Sequence, residues 1–268
     1  LILDQFFGPN CGSNEYYLGL KLNHYAINNI IIASANYNFF KYRKMLVDFQ
    51  SGFLYAMFDA TRSAVKLLVS NLDENNPSAE SLTLLTLALE VYFKCLTYPF
   101  SLSYFDYKEE FNLEEVTILL FPESYAAGLA DFDMYDTLIK LLRLKLSREI
   151  SLEITRILSR CAASRTSILH DDITKQAFKQ KMVECFIEMV YDCPLTDETF
   201  VHEIIEAVLR ILFVSNVVGI VMQQHIKENF KEAASTLSNA IIVLGYRLDS
   251  KLAHQLIEFW KKIKPHKD

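Results

Sequence analysis

An all-α fold is what this sequence predicts, in the form of a right-handed α-solenoid of HEAT-like antiparallel helix pairs. Three observations predict it. Apolar residues recur at helical spacing: Val201, Ile204, Ile205, Val208, Leu209 and Leu212 fall on one stripe, as do Ala177, Met182, Cys185, Phe186, Met189, Val190 and Cys193. The turn between those two stripes is only Pro194-Leu195-Thr196, which leaves room for an antiparallel pair and little else. Glycine is scarce, seven residues in 268, and one helical hairpin takes roughly 40 residues, the unit length of HEAT and armadillo repeats. Such a stack offers surface rather than a chemical pocket, so binding of other proteins is the first functional expectation. The expected organisation is one continuous solenoid fragment over 1–268, with an irregular acidic-aromatic insert at 98–121.

Taken in order, Asn14 to about Ala35 reads as a helix covered on more than one side, since Ile30, Ile31 and Ile32 follow Asn28-Asn29. After a break at 36–38, helical patterning runs from Phe39 to Gln50 and, past Ser51-Gly52, from Phe53 to Leu72. Asp73 to Pro77 is a turn, and Ser78 is placed to cap the next helix. From Ser78 to Thr97 leucines occur all round, the mark of a central helix. Tyr98 to Phe121 keeps no helical period. Pro122 suits the start of a short helix. From Asp133 the regular pairs return: 133–146 with 149–165, 173–193 with 196–214, and 225–247 with 249–264. Asp133, Thr196 and Asp249 stand near helix starts as candidate caps. Leu252, Leu256, Phe259, Trp260 and Ile263 form the last stripe, before a basic tail.

Composition narrows the function. The chain is 51% apolar, ample for a buried core and against disorder. A solenoid carries that much apolar residue without one oversized core, because each unit buries its face against its neighbours. The formal charge is −6 with no basic stripe, which argues against nucleic acid. Five cysteines at irregular spacing, four of them in apolar helical runs, read as buried small hydrophobes of a reducing compartment. No secretory signal is present, and the chain begins with Leu1, as a piece of a longer polypeptide would. The apolar run from Ile204 to Met222 contains Glu206 and Arg210, placed on the polar side of an amphipathic helix, and a break at Ser215-Asn216. A core helix followed by a second short helix explains it better than a membrane span.

Catalytic and metal motifs are thin. His202-Glu203-Ile204-Ile205-Glu206 begins like a zinc-protease helix but has Glu206 where the second histidine belongs, and these residues flank the apolar stripe and should face water. His170-Asp171-Asp172 resembles the doublet of metal phosphohydrolases, yet it sits at a helix-to-helix turn, where aspartate is a common cap. An all-α metal hydrolase built on His170, Asp171 and His202 is therefore a minor alternative. No phosphate loop, dinucleotide turn or nucleophile elbow occurs. The reading is of a non-enzyme with no cofactor and no metal. The acidic-aromatic stretch 104–115 has a claim as a partner-docking segment through Asp106, Glu109, Glu110, Glu114 and Glu115, against the alternative of a solvated insert whose aromatics tuck onto the solenoid.

The order of several blocks resembles a known family. Lys41-Tyr42-Arg43-Lys44-Met45-Leu46-Val47-Asp48-Phe49-Gln50 is similar to an H-R-K-x-x-x-S-F-R-D block, matching at Arg43, Lys44 and Phe49, with Gln50-Ser51 replacing the closing Arg-Asp. Cys95-Leu96-Thr97-Tyr98-Pro99-Phe100 is similar to C-L-N-F-D-F. Phe121-Pro122-Glu123-Ser124-Tyr125 stands where the family has I-P-T-x-W, with Tyr125 for Trp. Arg160 to Leu169 resembles F-A-S-x-R-R-S-L-F, and Leu256 to Trp260 resembles L-L-T-L-W. The family is the exportin-7 and exportin-4 group of the importin-β superfamily, and the resemblance in order and spacing covers nearly the whole chain.

The resemblance implies an N-terminal portion of a HEAT-repeat nuclear transport receptor, shuttling between nucleus and cytoplasm. Its implied partners are Ran-GTP, protein cargo and nuclear pore proteins, with no nucleic acid and no membrane insertion. Arg43 and Lys44 are the residues of the matched block offered for partner contact. The alternative from the residues alone is a HEAT or armadillo scaffold with no dependence on Ran.

Overall fold

The structure, a computed structural model, describes Gly52 and residues 54–97, 121–164, 166–214, 217–221 and 223–245. Among these residues it is all helical, with no strand. The elements are α1 (Tyr55–Ser70), α2 (Ala79–Thr97), a 3-10 turn (Glu123–Tyr125), α3 (Ala126–Leu129), α4 (Phe132–Leu144), α5 (Arg148–Ala162), a second 3-10 turn (Thr166–Ile168), α6 (Asp172–Asp192), α7 (Glu198–Val214), α8 (Val218–Val221) and α9 (Gln224–Leu244).

Four of the long helices open on a side-chain cap and two close on a left-handed residue. The Ser78 hydroxyl accepts from the Ser81 amide at 3.1 Å and opens α2. Ser147 accepts from the Ile150 amide at 3.2 Å and opens α5. Asp171 does the same for the Thr174 amide at 2.7 Å and opens α6. Asp197 receives the Thr199 amide at 3.0 Å at the start of α7. Each such cap satisfies an amide that the helix itself cannot, for about 1 kcal/mol. At the other ends, α4 closes on Lys145 and α9 on Gly245, both left-handed with φ 51° and φ 58°.

Two expected caps are corrected. Asp133 lies inside the first turn of α4, and the position before that helix is Asp131, which makes no cap bond. Its carboxylate instead accepts Lys66 Nζ at 2.7 Å and pairs with Arg62 at 2.8 Å, tying α1 to the start of α4. The cap of α7 is Asp197, not Thr196. The third candidate, Asp249, lies outside the described residues, as do the helices read at 14–35, 39–50 and 249–264 and all of the insert at 98–121 but its last residue, Phe121.

Packing follows the apolar stripes. Helix α1 lies on α2 and α4, α4 on α6, and α6 on α9; on the other side α2 lies on α5 and α5 on α7. The cross-contacts α1 with α2, α4 with α5 and α6 with α7 join these two series. The three residues between α4 and α5, and the five between α6 and α7, are too few to cross the molecule, so each pair folds back on itself. One apolar cluster runs through all of them, from Leu54 and Phe58 through Leu89, Leu138, Ile154, Phe186 and Ile204 to Phe230 and Leu237. The run from Ile204 divides as expected, into the end of α7 at Val214 and the short α8, and among the described residues no helix is long and apolar enough to cross a membrane.

At the α1–α2 end the cluster is aromatic. Phe58 stacks on Tyr92 at 5.2 Å and on Tyr125 at 4.5 Å, and Phe121 stacks on Tyr125 at 5.5 Å. The short turn at 121–125 is thus pinned by two fully buried rings, each worth roughly 2 kcal/mol of burial. Gly128 is required beside them: a Cβ at that position would fall inside the contact distance of the Phe58 ring.

Candidate interaction surface

Helices α5 and α7 carry charged residues at matching positions. Glu153, Arg156 and Arg160 on α5 follow the i, i+3, i+7 rule that places them on one stripe, and Glu203, Glu206 and Arg210 repeat that spacing on α7. Glu90 and Lys94 continue the stripe on α2. Because α2, α5 and α7 pack side by side, the three stripes form one ionic band across the row.

The bonds within the band are specific. Arg156 donates to Glu153 Oε1 at 2.8 Å and reaches Glu203 across the α5–α7 junction at 3.5 Å. Arg160 lies over the Phe93 ring at 6.0 Å, linking α5 to α2. Arg210 pairs with Glu206 at 2.9 Å and donates to the Ser159 hydroxyl of α5 at 2.7 Å. These groups sit in a shielded environment. Burial raises the Glu153 carboxyl above its ordinary range, against the lowering bond from Arg156. Burial also lowers Lys94, which Glu90 and Glu153 partly restore, and lowers Arg210.

Arg210 is the clearest departure from expectation. Its place on the polar side of the helix predicts a solvated guanidinium, yet only 7% of the side chain is exposed. The stripe does face away from the apolar core, but α5 lies close enough to cover it. Glu206 at i−4 and a serine on α5 supply the bonds that make the burial tolerable. The sequence places Glu206 and Arg210 together on the polar side of the helix; their pairing and the serine across the junction come from the structure.

The opposite row shows a different electrostatic character. Arg143 of α4 donates to Glu188 of α6 at 2.5 Å, and Lys181 of α6 donates to Asp136 of α4 at 3.0 Å. Lys140 pairs with Glu74. Arg143, Asp136 and Lys140 are more than half exposed, so these pairs are screened and individually weak.

The remaining sequence candidates are dispersed. Asp171 caps α6, and His170 beside it is exposed, 3.7 Å from the exposed Glu123. His202 is exposed on α7, while Glu203 and Glu206 are engaged by Arg156 and Arg210. No group of three or more potential ligands that could hold a metal occurs among the described residues. Cys95, Cys161, Cys185 and Cys193 are buried thiols, as their apolar runs predict, and burial raises Cys161 to about 12 and Cys193 to about 11. The partner-contact candidates Arg43, Lys44, Asp106, Glu109, Glu110, Glu114 and Glu115 all lie outside the described residues.

Comparison with known protein families, curated proteins and solved structures gives no match to this chain.

Proposed function

We propose that the two packed rows are layers of a right-handed, HEAT-like α-solenoid whose work is binding other proteins. The observation that supports this reading most directly is the band on α2, α5 and α7. Charged residues, part-buried except for the buried Arg210, repeat one spacing on α5 and α7 and are extended by Glu90 and Lys94 on α2, and a pattern repeated from helix to helix is matched by an extended partner rather than by a small substrate. Following the block resemblance, the specific reading is a portion of a nuclear transport receptor that binds Ran-GTP and protein cargo, passes the pore through nuclear pore proteins, and moves between nucleus and cytoplasm. A stack of pairs suits that role physically. Small shifts at each junction add up to a change of curvature, and a GTPase that prefers one curvature thereby sets the affinity for cargo.

The test is binding of GTP-loaded and GDP-loaded Ran to this chain and to the intact polypeptide that contains it. Preference for the GTP form by a factor of at least ten supports the transport reading. Equal binding, or none, in the intact polypeptide overturns it. Partner capture that ignores the nucleotide would then identify a scaffold of the same architecture.

A further inference from the structure

Arg156 is shared between carboxylates on two helices. Its Nη1 donates to Glu153 Oε1, one turn back on α5, at 2.8 Å, while its Nε lies 3.5 Å from Glu203 Oε1 on α7. The bond within α5 is the shorter, so the guanidinium is held mainly by its own helix. All three side chains are mostly shielded from solvent, and their charges act on one another with less screening than those of exposed pairs.

Glu153 is the member whose charge is hardest to keep. Its second oxygen, Oε2, is buried and accepts no hydrogen bond among the described residues. From α2, Glu90 brings a like charge to it and Lys94 an opposite one; from α7, Glu203 brings a like charge; on α5 itself Arg156 opposes them. The other two helices packed on α5 meet it through neutral groups. Thr155 lies 3.3 Å from the Cys193 thiol at the end of α6, and the Tyr135 hydroxyl of α4 bonds the Cys161 thiol. Burial outweighs the arginine and raises the Glu153 carboxyl above its ordinary range. A neutral carboxyl leaves Oε2 buried at far lower cost than a carboxylate does.

We propose that Glu153 is a proton-operated switch for the α5–α7 junction: protonation releases Arg156 from its own helix, and the guanidinium then pairs with Glu203 across the junction. While Glu153 is ionised, Arg156 divides its charge between two carboxylates. Once Glu153 is neutral, the charge-assisted bond left to Arg156 is the one to Glu203. One added proton thus turns a bond within a helix into a bond between helices, and the junction is tighter on the acid side of the Glu153 titration. As regulation of the ionic band this rests on the binding reading above, whereas the hand-over itself rests on the two contacts of Arg156 and on the buried oxygen of Glu153.

Carboxyl carbon and arginine Nε resonances of the labelled chain, followed from about pH 4 to about pH 8, test it. Glu153 should titrate above the ordinary glutamate range, and the Arg156 Nε and the Glu203 carboxyl should shift with the same midpoint. A double-mutant cycle in urea with Arg156→Met and Glu203→Gln should give an interaction factor about threefold larger near pH 5 than near pH 8. Glu153→Gln imitates the neutral carboxyl at every pH, so in that variant the Arg156 Nε and the cycle should lose their dependence on pH. An Arg156 Nε that ignores the Glu153 titration, an interaction factor equal at both pH values, or a Glu153→Gln chain that keeps the pH dependence would each overturn the proposal. None of these readouts involves Ran, so their failure and that of the transport reading are told apart.

Discussion

Replacing Arg210 separates the two parts of what that residue does. Its guanidinium fills the α5–α7 junction, bonded to Glu206 at 2.9 Å and to the Ser159 hydroxyl at 2.7 Å. Arg210→Ala removes a charge-assisted bond, worth about 1.5–3 kcal/mol, and most of an aliphatic stem that α5 covers, worth about 2 kcal/mol more. Glu206 retains access to water and is not stranded, so nothing is added for it and the expected total is about 3.5–5 kcal/mol. Arg210→Met keeps the stem and loses only the bond, stranding the fully buried Ser159 hydroxyl, so the expected loss falls to about 1.5–3 kcal/mol. Adding Ser159→Ala removes that orphan and should restore stability to near the starting value. Urea unfolding followed by far-UV circular dichroism gives the midpoints, compared among variants with the same slope. If Arg210→Met is as damaging as Arg210→Ala, or if Ser159→Ala fails to rescue it, the account of the junction is wrong.

Other expectations concern separate parts of the molecule. Gly128→Ala should destabilise by about 1–3 kcal/mol through the Phe58 ring, and Phe58→Leu in the same chain should return part of the loss; independent, additive losses in urea would disprove the contact. Glu153 is a carboxyl raised in the folded state, so the fold holds its proton above pH about 4, where the unfolded chain has lost it, and stability falls as pH climbs through the folded value. Glu153→Gln should therefore raise the melting temperature at pH 7 relative to the parent and leave it unchanged near pH 3; an equal shift at both would point to packing instead. At pH 8 a thiol of pKa about 11 is roughly one part in a thousand thiolate, so native Cys193 should react slowly with a disulfide reagent, and Cys161, at about 12, more slowly still. Rapid labelling of Cys161 in the folded chain would contradict its burial.

Much of the helical content was legible because it rests on periodicity and punctuation. The stripes of α6 and α7, the turn at 194–196, the Ser78 cap and the division of the apolar run after Val214 all follow from spacing within one segment. Cap positions at Asp133 and Thr196 missed by one or two residues, since several polar residues compete at a helix start and only geometry chooses among them. The candidate surface was hardest to read. Glu153, Arg156, Glu203 and Arg210 look in sequence like ordinary solvated faces, and what makes them a band is the lateral packing of α2, α5 and α7, which no local pattern encodes. Phe121 and Tyr125 show the reverse case: their block was noticed by resemblance, and stacking on Phe58 gives the physical reason for aromatic rings there.

The contrast between the two rows bears on how such a molecule could respond to a partner. Where α4 meets α6, the ionic cross-links are ones that water and salt readily replace, which leaves that side held by apolar packing such as Tyr135 on Phe178. Where α5 meets α7, Arg156–Glu203 and Arg210–Ser159 are shielded, and breaking the second leaves a buried guanidinium without its neutral partner. If the proposed stack flexes, the side held by apolar packing alone would yield before the side that must also break shielded polar bonds, and the bond at Ser159 would be the pivot. A partner that competes for Glu203 or Glu206 would loosen the bonded side too, and binding on the band would then change the angle between successive pairs. Removing the pivot bond by Arg210→Met should therefore weaken the link between occupancy of the band and the shape of the stack, while leaving Glu203, Glu153 and Arg156 in place to be bound.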